Sequence, residues 1–226
     1  MRIVFAGLDS PIELIPGECA TLEVENQTLF ARLALSLLSS EGRYAEEPYS
    51  LWEGDDERKP KDSILVIDNP LQLPWNEHGL MGTITKRMER EYLGDEDLRQ
   101  NVEELQRSIN ACLMSLGMGM NSDLAFSQEW DFRRYLKFIG FVVSYQESKP
   151  YLDNLLNFLS LALDAEEKRV LLFVNLKTFL SETDFKLFLE QVYFQKTKVL
   201  LLENKHDAFY YEHEAKRLVD QHFVES

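Results

Sequence analysis

The sequence lacks the glycine-rich phosphate loop of nucleoside triphosphatases. None of its ten glycines is followed by lysine, so the pattern Gly-x-x-x-x-Gly-Lys-Ser/Thr occurs nowhere in the chain. A strand typical of such enzymes is nevertheless present. Residues 64–68 read Ile-Leu-Val-Ile-Asp, an apolar run that ends in a carboxylate, as strands of phosphoryl-transfer enzymes often do. This combination favours binding over catalysis.

Cysteines and long apolar runs are also scarce. The two cysteines, Cys19 and Cys112, are too few for a disulfide framework. No apolar run reaches the roughly 18 residues that a membrane-spanning helix needs, and Asp9 comes too early for a secretory signal. These absences predict a cytoplasmic protein with reduced thiols and no membrane contact.

Positive charge is the scarcer sign, with 24 basic against 39 acidic side chains and a net charge of −15. Such a surface repels polyanions on average, which argues against a simple nucleic-acid coat protein. The charge is uneven, because residues 75–150 carry 9 basic and 12 acidic side chains, whereas residues 1–74 carry 6 and 14. The middle of the chain should therefore repel phosphate groups least.

Apolar patterns at both ends of the chain predict an α/β head domain. Strands are expected at residues 2–5, 20–24 and 64–68, and a helix at 27–38. Near the other end, strands at 170–174 and 198–202 flank a helix at 182–194, which is typical of a parallel βαβ unit. A short strand is expected at 141–145, and a final helix at 210–221. The predicted head comprises residues 1–74 and 141–226, with a mostly parallel sheet.

Residues 75–140 change to a helical period and predict an inserted helical leg domain. Apolar residues recur at spacings of 4, 3, 4 and 4 and predict one helix of more than six turns over about 95–118: Leu98, Val102, Leu105, Ile109 and Leu113. A further helix is expected at 128–139. A helix longer than its own domain needs usually packs against another subunit.

The order of these segments resembles the Csn-two family, a CRISPR-associated family of type II-A systems that acts in spacer acquisition. The resemblance covers nearly the whole chain, from the N-terminal β pair and helix through the strand at 64–68 and the helical stretch at 98–116. It includes the Lys-Phe-Ile-Gly-Phe-Val passage at 137–142. Most identity lies in Leu-Leu-Phe-Val-Asn at 171–175 and Leu-Leu-Leu-Glu at 200–203, while no catalytic motif contributes.

The resemblance implies a degenerate P-loop-NTPase-like head with an extended α-helical leg domain. Members assemble as ring-shaped homotetramers, bind calcium, and take double-stranded DNA, preferably its ends, through a central hole lined by basic side chains. They work with the integrase and the RNA-guided effector nuclease of the same system. No hydrolytic activity belongs to the family. The expected function is therefore non-catalytic DNA binding in CRISPR spacer acquisition, a part of antiviral defence.

Basic side chains of the middle section are the candidates for contacts with DNA phosphates. They are Lys86, Arg87, Arg90, Arg99, Arg107, Arg133, Arg134 and Lys137. The alternative is a solvated helix surface on which these cations pair with acidic neighbours, namely Glu89, Glu91, Glu103 and Glu129. Single contacts should be weak, but four copies in a ring would add up through multivalency.

Calcium needs several oxygen ligands, and the candidates are Asp123, Glu129 and Asp131. In the alternative interpretation, Asp123 is a turn residue and Glu129 lies in the first turn of a helix, where an acid suits the helix dipole. For Asp68, capping of the turn before Pro70 is favoured over metal binding.

Two other functions remain open at this point. One is a metal-dependent nuclease or NTPase that uses Asp68 with Asp123 or Glu203. The other is a protein-interaction platform without direct DNA binding. The polar group of His206, Asp207, Glu212 and His213 is expected to be the solvated start of the last helix, because zinc sites at such spacing usually have more ligands.

Overall fold

The computed structural model describes residues 1–122, 124–125, 129–143 and 149–225. The chain divides into two compact units, which we call the head unit and the helical unit. The head unit comprises Met1–Trp75 together with Tyr145–Ser226, and the helical unit comprises Asn76–Ser144.

The strands of the described residues all lie in the head unit. They are β1 (Arg2–Phe5), β2 (Ile12–Glu13), β3 (Cys19–Val24), β4 (Tyr49–Glu53), β5 (Asp56–Arg58), β6 (Ile64–Ile67), β7 (Val170–Val174), β8 (Val199–Glu203) and β9 (Glu214–Val219).

The described helices are divided between the two units. The head unit contains α1 (Gln27–Ser39), α2 (Pro60–Ser63), α6 (Tyr151–Asp164) and α7 (Glu182–Gln195). Two short 3-10 helices, at Gly42–Tyr44 and Leu176–Phe179, also belong to it. The helical unit contains α3 (His78–Gly94), α4 (Glu96–Gly117) and α5 (Phe132–Phe138).

A five-stranded parallel sheet with the order β6-β7-β8-β3-β9 forms the centre of the head unit. Strands β7 and β8 are almost entirely buried, as their unbroken apolar sequences require. Strand β3 alternates apolar and polar residues, yet it is buried along its whole length because it lies between β8 and β9. The mixed α/β class with a parallel sheet is therefore confirmed.

A second sheet in the head unit is antiparallel and has the order β2-β1-β4-β5. Ile3, Tyr49 and Leu51 of this sheet are buried in the same core cluster as the apolar residues of the parallel sheet. The outer strand β5 is charged and exposed, which protects the free sheet edge from pairing with other chains.

The predicted last helix at 210–221 is wrong, because this segment contains strand β9, which pairs in parallel with β3. Its residues Glu-Ala-Lys-Arg-Leu have high intrinsic helix propensity, but pairing with a buried strand outweighs that preference. Residues 141–143 are not a strand, and the rest of the strand predicted at 141–145 lies outside the described residues.

The long helix predicted over 95–118 is confirmed as α4. The Asp95 carboxylate accepts a hydrogen bond from the Leu98 N–H at 2.9 Å, and Glu96 and Asp97 follow in the first turn. Cap and acidic first turn both stabilise a helix start. Within the part of the chain that the structure describes, no helix is both long enough and apolar enough to cross a membrane.

Candidate nucleic-acid interface

Two helices of the helical unit are joined by a ring stack and an ion pair. The Tyr92 ring of α3 stacks on the Phe132 ring of α5, with centroids 4.7 Å apart and planes inclined by 7°. Beside this stack, Arg133 Nε donates to Glu89 Oε2 at 2.8 Å. Tyr92 is buried, so the ring stack and the ion pair together hold α3 against α5.

Four of the eight candidate arginines and lysines are engaged in ion pairs. Arg87 pairs with Glu91 at 3.1 Å, Arg134 pairs with Asp131 at 3.3 Å, and Arg133 pairs with Glu89. Arg99 contacts Glu96 and, at 3.8 Å, Glu103. The hydrogen bonds and charges of Glu89 and Glu96 raise the pKa of Arg133 and Arg99, respectively. These arginines stay charged, but an acidic neighbour already balances each of them.

The other four candidates are exposed and have no ion-pair partner among the described residues. They are Lys86, Arg90, Arg107 and Lys137. Lys86 and Arg90 are four residues apart on α3 and therefore share one helix face. These four side chains are the cations of the helical unit that are available to phosphate.

The predicted calcium ligands are only partly within the described residues. Asp123 lies outside them, and Glu129 is exposed. Asp131 caps α5, since its carboxylate accepts the Arg134 N–H at 2.9 Å. No group of three or more potential metal ligands is found among the described residues, so Glu129 and Asp131 alone do not form a calcium cage.

Helix α4 has an exposed apolar stripe and no buried residue. Its leucine and isoleucine side chains are between 46% and 68% exposed: Leu98, Leu105, Ile109, Leu113 and Leu116. Arg107 is two residues from both Leu105 and Ile109, and at 3.6 residues per turn it lies on the opposite side of the helix. A partner that covers the stripe would thus leave Arg107 accessible.

A charged cluster at the carboxyl edge of the parallel sheet was not predicted. We call it the carboxyl-edge cluster, and its members are Glu23, Lys177, Glu203, His206, Asp207, Glu214 and Lys216. Glu23 and Glu203 are paired residues of β3 and β8, and both are buried. His206 and Asp207 belong to this cluster and not to the start of a solvated helix, which corrects the earlier prediction.

Ion pairs with two lysines balance the negative charge of this cluster. The Lys177 ammonium lies 3.3 Å from Glu23, 3.3 Å from Asp207 and 2.7 Å from the fully buried Glu214 carboxylate. Burial lowers the pKa of Lys177, but the hydrogen bond and charge of Glu214 outweigh it and raise the pKa overall. Lys216 contacts Asp207 at 3.5 Å. Neither ammonium group is free to hold a phosphate.

The Glu203 carboxyl has a different environment from the other acids of the cluster. Burial raises the pKa of Glu203 to about 7, although the Lys177 backbone N–H donates to its Oε1 at 3.0 Å. A cleft of about 340 Å³ opens beside it and is lined by Lys177, Asp207 and Tyr211 among others. Ligands of parallel α/β sheets bind at this edge. The sequence signal for this site was therefore a carboxylate, Glu203, at the end of a predicted strand.

The connection between β3 and α1 is too short for a phosphate loop. Only Glu25 and Asn26 separate the strand from the helix. The Asn26 side-chain oxygen accepts the N–H groups of Thr28 and Leu29, both at 3.1 Å, so the helix start is capped by the protein itself. After β6, the turn before Pro70 is held by Asn69, whose Oδ1 accepts the Leu71 N–H at 3.2 Å, and not by the exposed Asp68.

A mixed α/β protein with a separate helical unit is the class that this geometry defines. The family described as CRISPR-associated protein (Cas_Csn2) matches residues 44–223. The chain therefore belongs to this CRISPR-associated family, the Csn-two family, which confirms the resemblance. The comparison with curated proteins gives no match.

Proposed function

We propose that this protein is a non-catalytic, cytoplasmic double-stranded DNA-binding ring protein that acts in CRISPR spacer acquisition in antiviral defence. The observation that carries the proposal is the set of exposed cations on the helical unit without an ion-pair partner in the described chain: Lys86, Arg90, Arg107 and Lys137. Cations that contact the phosphates of the DNA backbone bind DNA without recognising its base sequence. Membership of the CRISPR-associated family supports the biological setting.

Self-association supplies the affinity that four cations of one chain cannot. The exposed apolar stripe of α4 is the proposed contact surface between chains. The length of this helix supports the proposal, because α4 spans 22 residues and none of them is buried. A homotetramer would bring four sets of cations to one duplex, and linked weak contacts raise the overall affinity by orders of magnitude. Calcium, held near Glu129 and Asp131 with Asp123, would offset the acidic charge of the legs.

The head unit is proposed to be a degenerate relative of P-loop NTPases without nucleotide hydrolysis. Two features support this. First, strand β3 of the parallel sheet leads into helix α1, whose start is capped by Asn26. Second, the lysines of the carboxyl-edge cluster form ion pairs with carboxylates. The integrase and the RNA-guided effector nuclease of the same system are the proposed protein partners.

The test compares binding of linear and covalently closed circular DNA of one sequence in a gel shift, with calcium and with a chelator. Threading of a duplex end predicts a calcium-dependent shift of the linear DNA and little shift of the circle. Light scattering of the same samples gives the mass, which should be that of a tetramer with calcium. Equal binding to both DNA forms would exclude threading, and a single-chain mass in calcium would exclude the ring.

A protein-interaction platform without direct DNA binding is the second candidate. It is favoured by the arginines that acidic neighbours already balance, Arg87, Arg99, Arg133 and Arg134, and by the net charge of −15. The platform predicts no shift of any DNA at low salt, together with co-purification of the integrase or the effector nuclease.

A metal-dependent nuclease or NTPase is the least supported function. Asp68 is exposed at the end of β6, the edge strand of the sheet, whereas Glu203 ends the interior strand β8. Strand β7 lies between these two strands. Divalent-dependent cleavage or nucleotide turnover that disappears in Asp68→Ala would establish this activity.

A further inference from the structure

The amino edge of the parallel sheet carries lysines from three adjacent strands. Lys59 precedes α2, which leads directly into β6, while Lys168 comes two residues before β7 and Lys198 one residue before β8. Strands β6, β7 and β8 are neighbours and parallel, so their amino ends meet at the same edge. Adjacent strands are about 4.8 Å apart, which places these lysines within one patch although they are far apart in sequence.

The cleft beside these lysines is large and contains acidic side chains that are already paired. It has a volume of about 730 Å³ and its lining includes Lys59, Lys168, Lys196 and Lys198. Its acids Glu53, Glu57 and Glu167 bind arginines: Arg58 at 3.0 Å, Arg43 at 2.6 Å and Arg169 at 2.6 Å, respectively. Asp62 is the remaining acid of the lining.

The lysines of this patch have no ion-pair partner among the residues that the structure describes. Lys59, Lys168 and Lys196 are exposed, and Lys198 is half-buried. Lys196 lies over the Tyr193 ring, with Nζ 4.0 Å from the ring centroid. Four lysines against one unpaired acid leave an excess of positive charge in a protein whose net charge is −15. Such a local reversal of sign attracts anions.

We infer that the amino edge of the head unit's parallel sheet is a second contact surface for the phosphates of DNA, separate from the cations of the helical unit. The inference rests on the proposed DNA binding and names a further part of it. Lysines act as flexible point charges for phosphate, and they need no sequence-specific partner. An acidic protein segment would also require apolar anchors, whereas the lining of this cleft is almost entirely charged.

The experiment measures DNA affinity of the full chain as a function of salt. A short fluorescent duplex is titrated by anisotropy in calcium buffer between 50 and 200 mM NaCl, for wild type and for the patch variant K59Q/K168Q/K198Q. The matched control K149Q/K186Q/K205Q removes the same charge from exposed lysines elsewhere on the head unit. Equal melting temperatures of the three proteins show that the substitutions leave the fold intact.

The patch variant should bind about tenfold or more weakly, and its log-affinity slope against log salt should become shallower by about 2–3, since each lost phosphate contact removes about 0.9. The control should bind like wild type. If wild type binds DNA and the two variants behave alike, the patch is not a contact surface, while the proposed function stands. If wild type shows no binding at 50 mM NaCl, both the inference and the proposed function fail.

Discussion

Arg133 and Glu89 join two helices of the helical unit through a charge-assisted hydrogen bond, with Arg133 Nε 2.8 Å from Glu89 Oε2. Arg133 is one of the cations that the sequence assigns to DNA binding, yet in the single chain its charge is balanced by a carboxylate. Phosphate and Glu89 would therefore compete for the same guanidinium group. This competition would make Glu89 a determinant of affinity in the proposed DNA binding.

Glu89→Gln is expected to tighten DNA binding. The substitution removes a negative charge and frees Arg133 to contact a phosphate, so affinity at low salt should rise by about three- to tenfold and the salt slope should steepen by about 0.9. Fluorescence anisotropy with a labelled duplex measures both quantities. Glu190→Gln, an exposed site on α7 of the head unit, is the control with the same change of charge. Equal gains in both variants would show that only net charge matters.

Loss of Lys86 and Arg90 should weaken DNA binding more than loss of Arg87 and Arg99. The first pair is exposed without an ion-pair partner in the described chain, whereas the second pair is balanced by Glu91 and by Glu96 with Glu103. K86Q/R90Q should lower the salt slope by about 2, and R87Q/R99Q by less than about 1. The same titration measures both variants, and each serves as the charge control of the other. The reverse order would contradict the assignment of available cations.

Leu105→Asp combined with Ile109→Asp is expected to break the proposed assembly. Burial of one such side chain stabilises a contact by about 1.5–3 kcal/mol, and an acid in its place must be desolvated without a partner. Light scattering should show a mass that falls towards the 26.4 kDa of one chain. Ala111→Asp introduces an acid on the opposite, exposed side of α4 and should leave the mass unchanged. Dissociation in both variants would assign the contact to another surface.

Sequence patterns correctly predicted those elements of the fold whose structure depends mainly on their own residues. Strands β7 and β8 follow from unbroken apolar runs, and α4 follows from its apolar period and the Asp95 cap. Strand β9 was missed because residues with helix propensity are held in a strand by β3, a partner almost 200 residues earlier in the chain.

The carboxyl-edge cluster and the ion pair of Arg133 depend on contacts that sequence spacing does not show. Glu23, Lys177 and Glu203 meet only because the sheet order places β3 beside β8. The pairing of Arg133 with Glu89 joins residues 44 positions apart, although Glu89 had been considered as a partner for the cations in the alternative interpretation. Three of the four ion pairs join residues three or four positions apart, a spacing that the sequence does show: Arg87 with Glu91, Arg99 with Glu96 and Arg134 with Asp131. Only the balance of Arg133 by Glu89 depends on the packing of α3 on α5.

Calcium binding is expected to depend on Glu129 and Asp131. In E129Q/D131N the amide of residue 131 can still accept the Arg134 N–H and cap α5, since asparagine caps as well as aspartate, but the charge that attracts calcium is lost. Titration calorimetry should show at least a tenfold weaker affinity. D97N/E104Q makes the same change of charge at exposed positions of α4 and serves as the control. Unchanged affinity in E129Q/D131N would remove these two residues from the site.

The carboxyl-edge cluster makes the stability of the head unit depend on pH through Glu203. Burial raises the pKa of its carboxyl from an ordinary value of 4.5 to about 7. Between these two values the folded state retains a proton that the unfolded chain has released, so the free energy of unfolding falls as the pH rises through this interval. Above pH 7 the folded protein contains a buried carboxylate near Glu23, which is also an acid.

Glu203→Gln should therefore stabilise the protein at pH 8. The uncharged amide oxygen can still accept the Lys177 N–H, while the buried charge is gone. Urea unfolding at pH 8 should show a gain of about 1–3 kcal/mol over wild type. The gain should shrink as the pH falls and approach zero below the ordinary pKa of 4.5, where Glu203 is protonated in both the folded and the unfolded state. The exposed Glu190→Gln should show no such pH-dependent gain. A loss of stability at pH 8 in Glu203→Gln would mean that Lys177 holds Glu203 as a carboxylate, because attraction by the ammonium group would then outweigh the cost of burial.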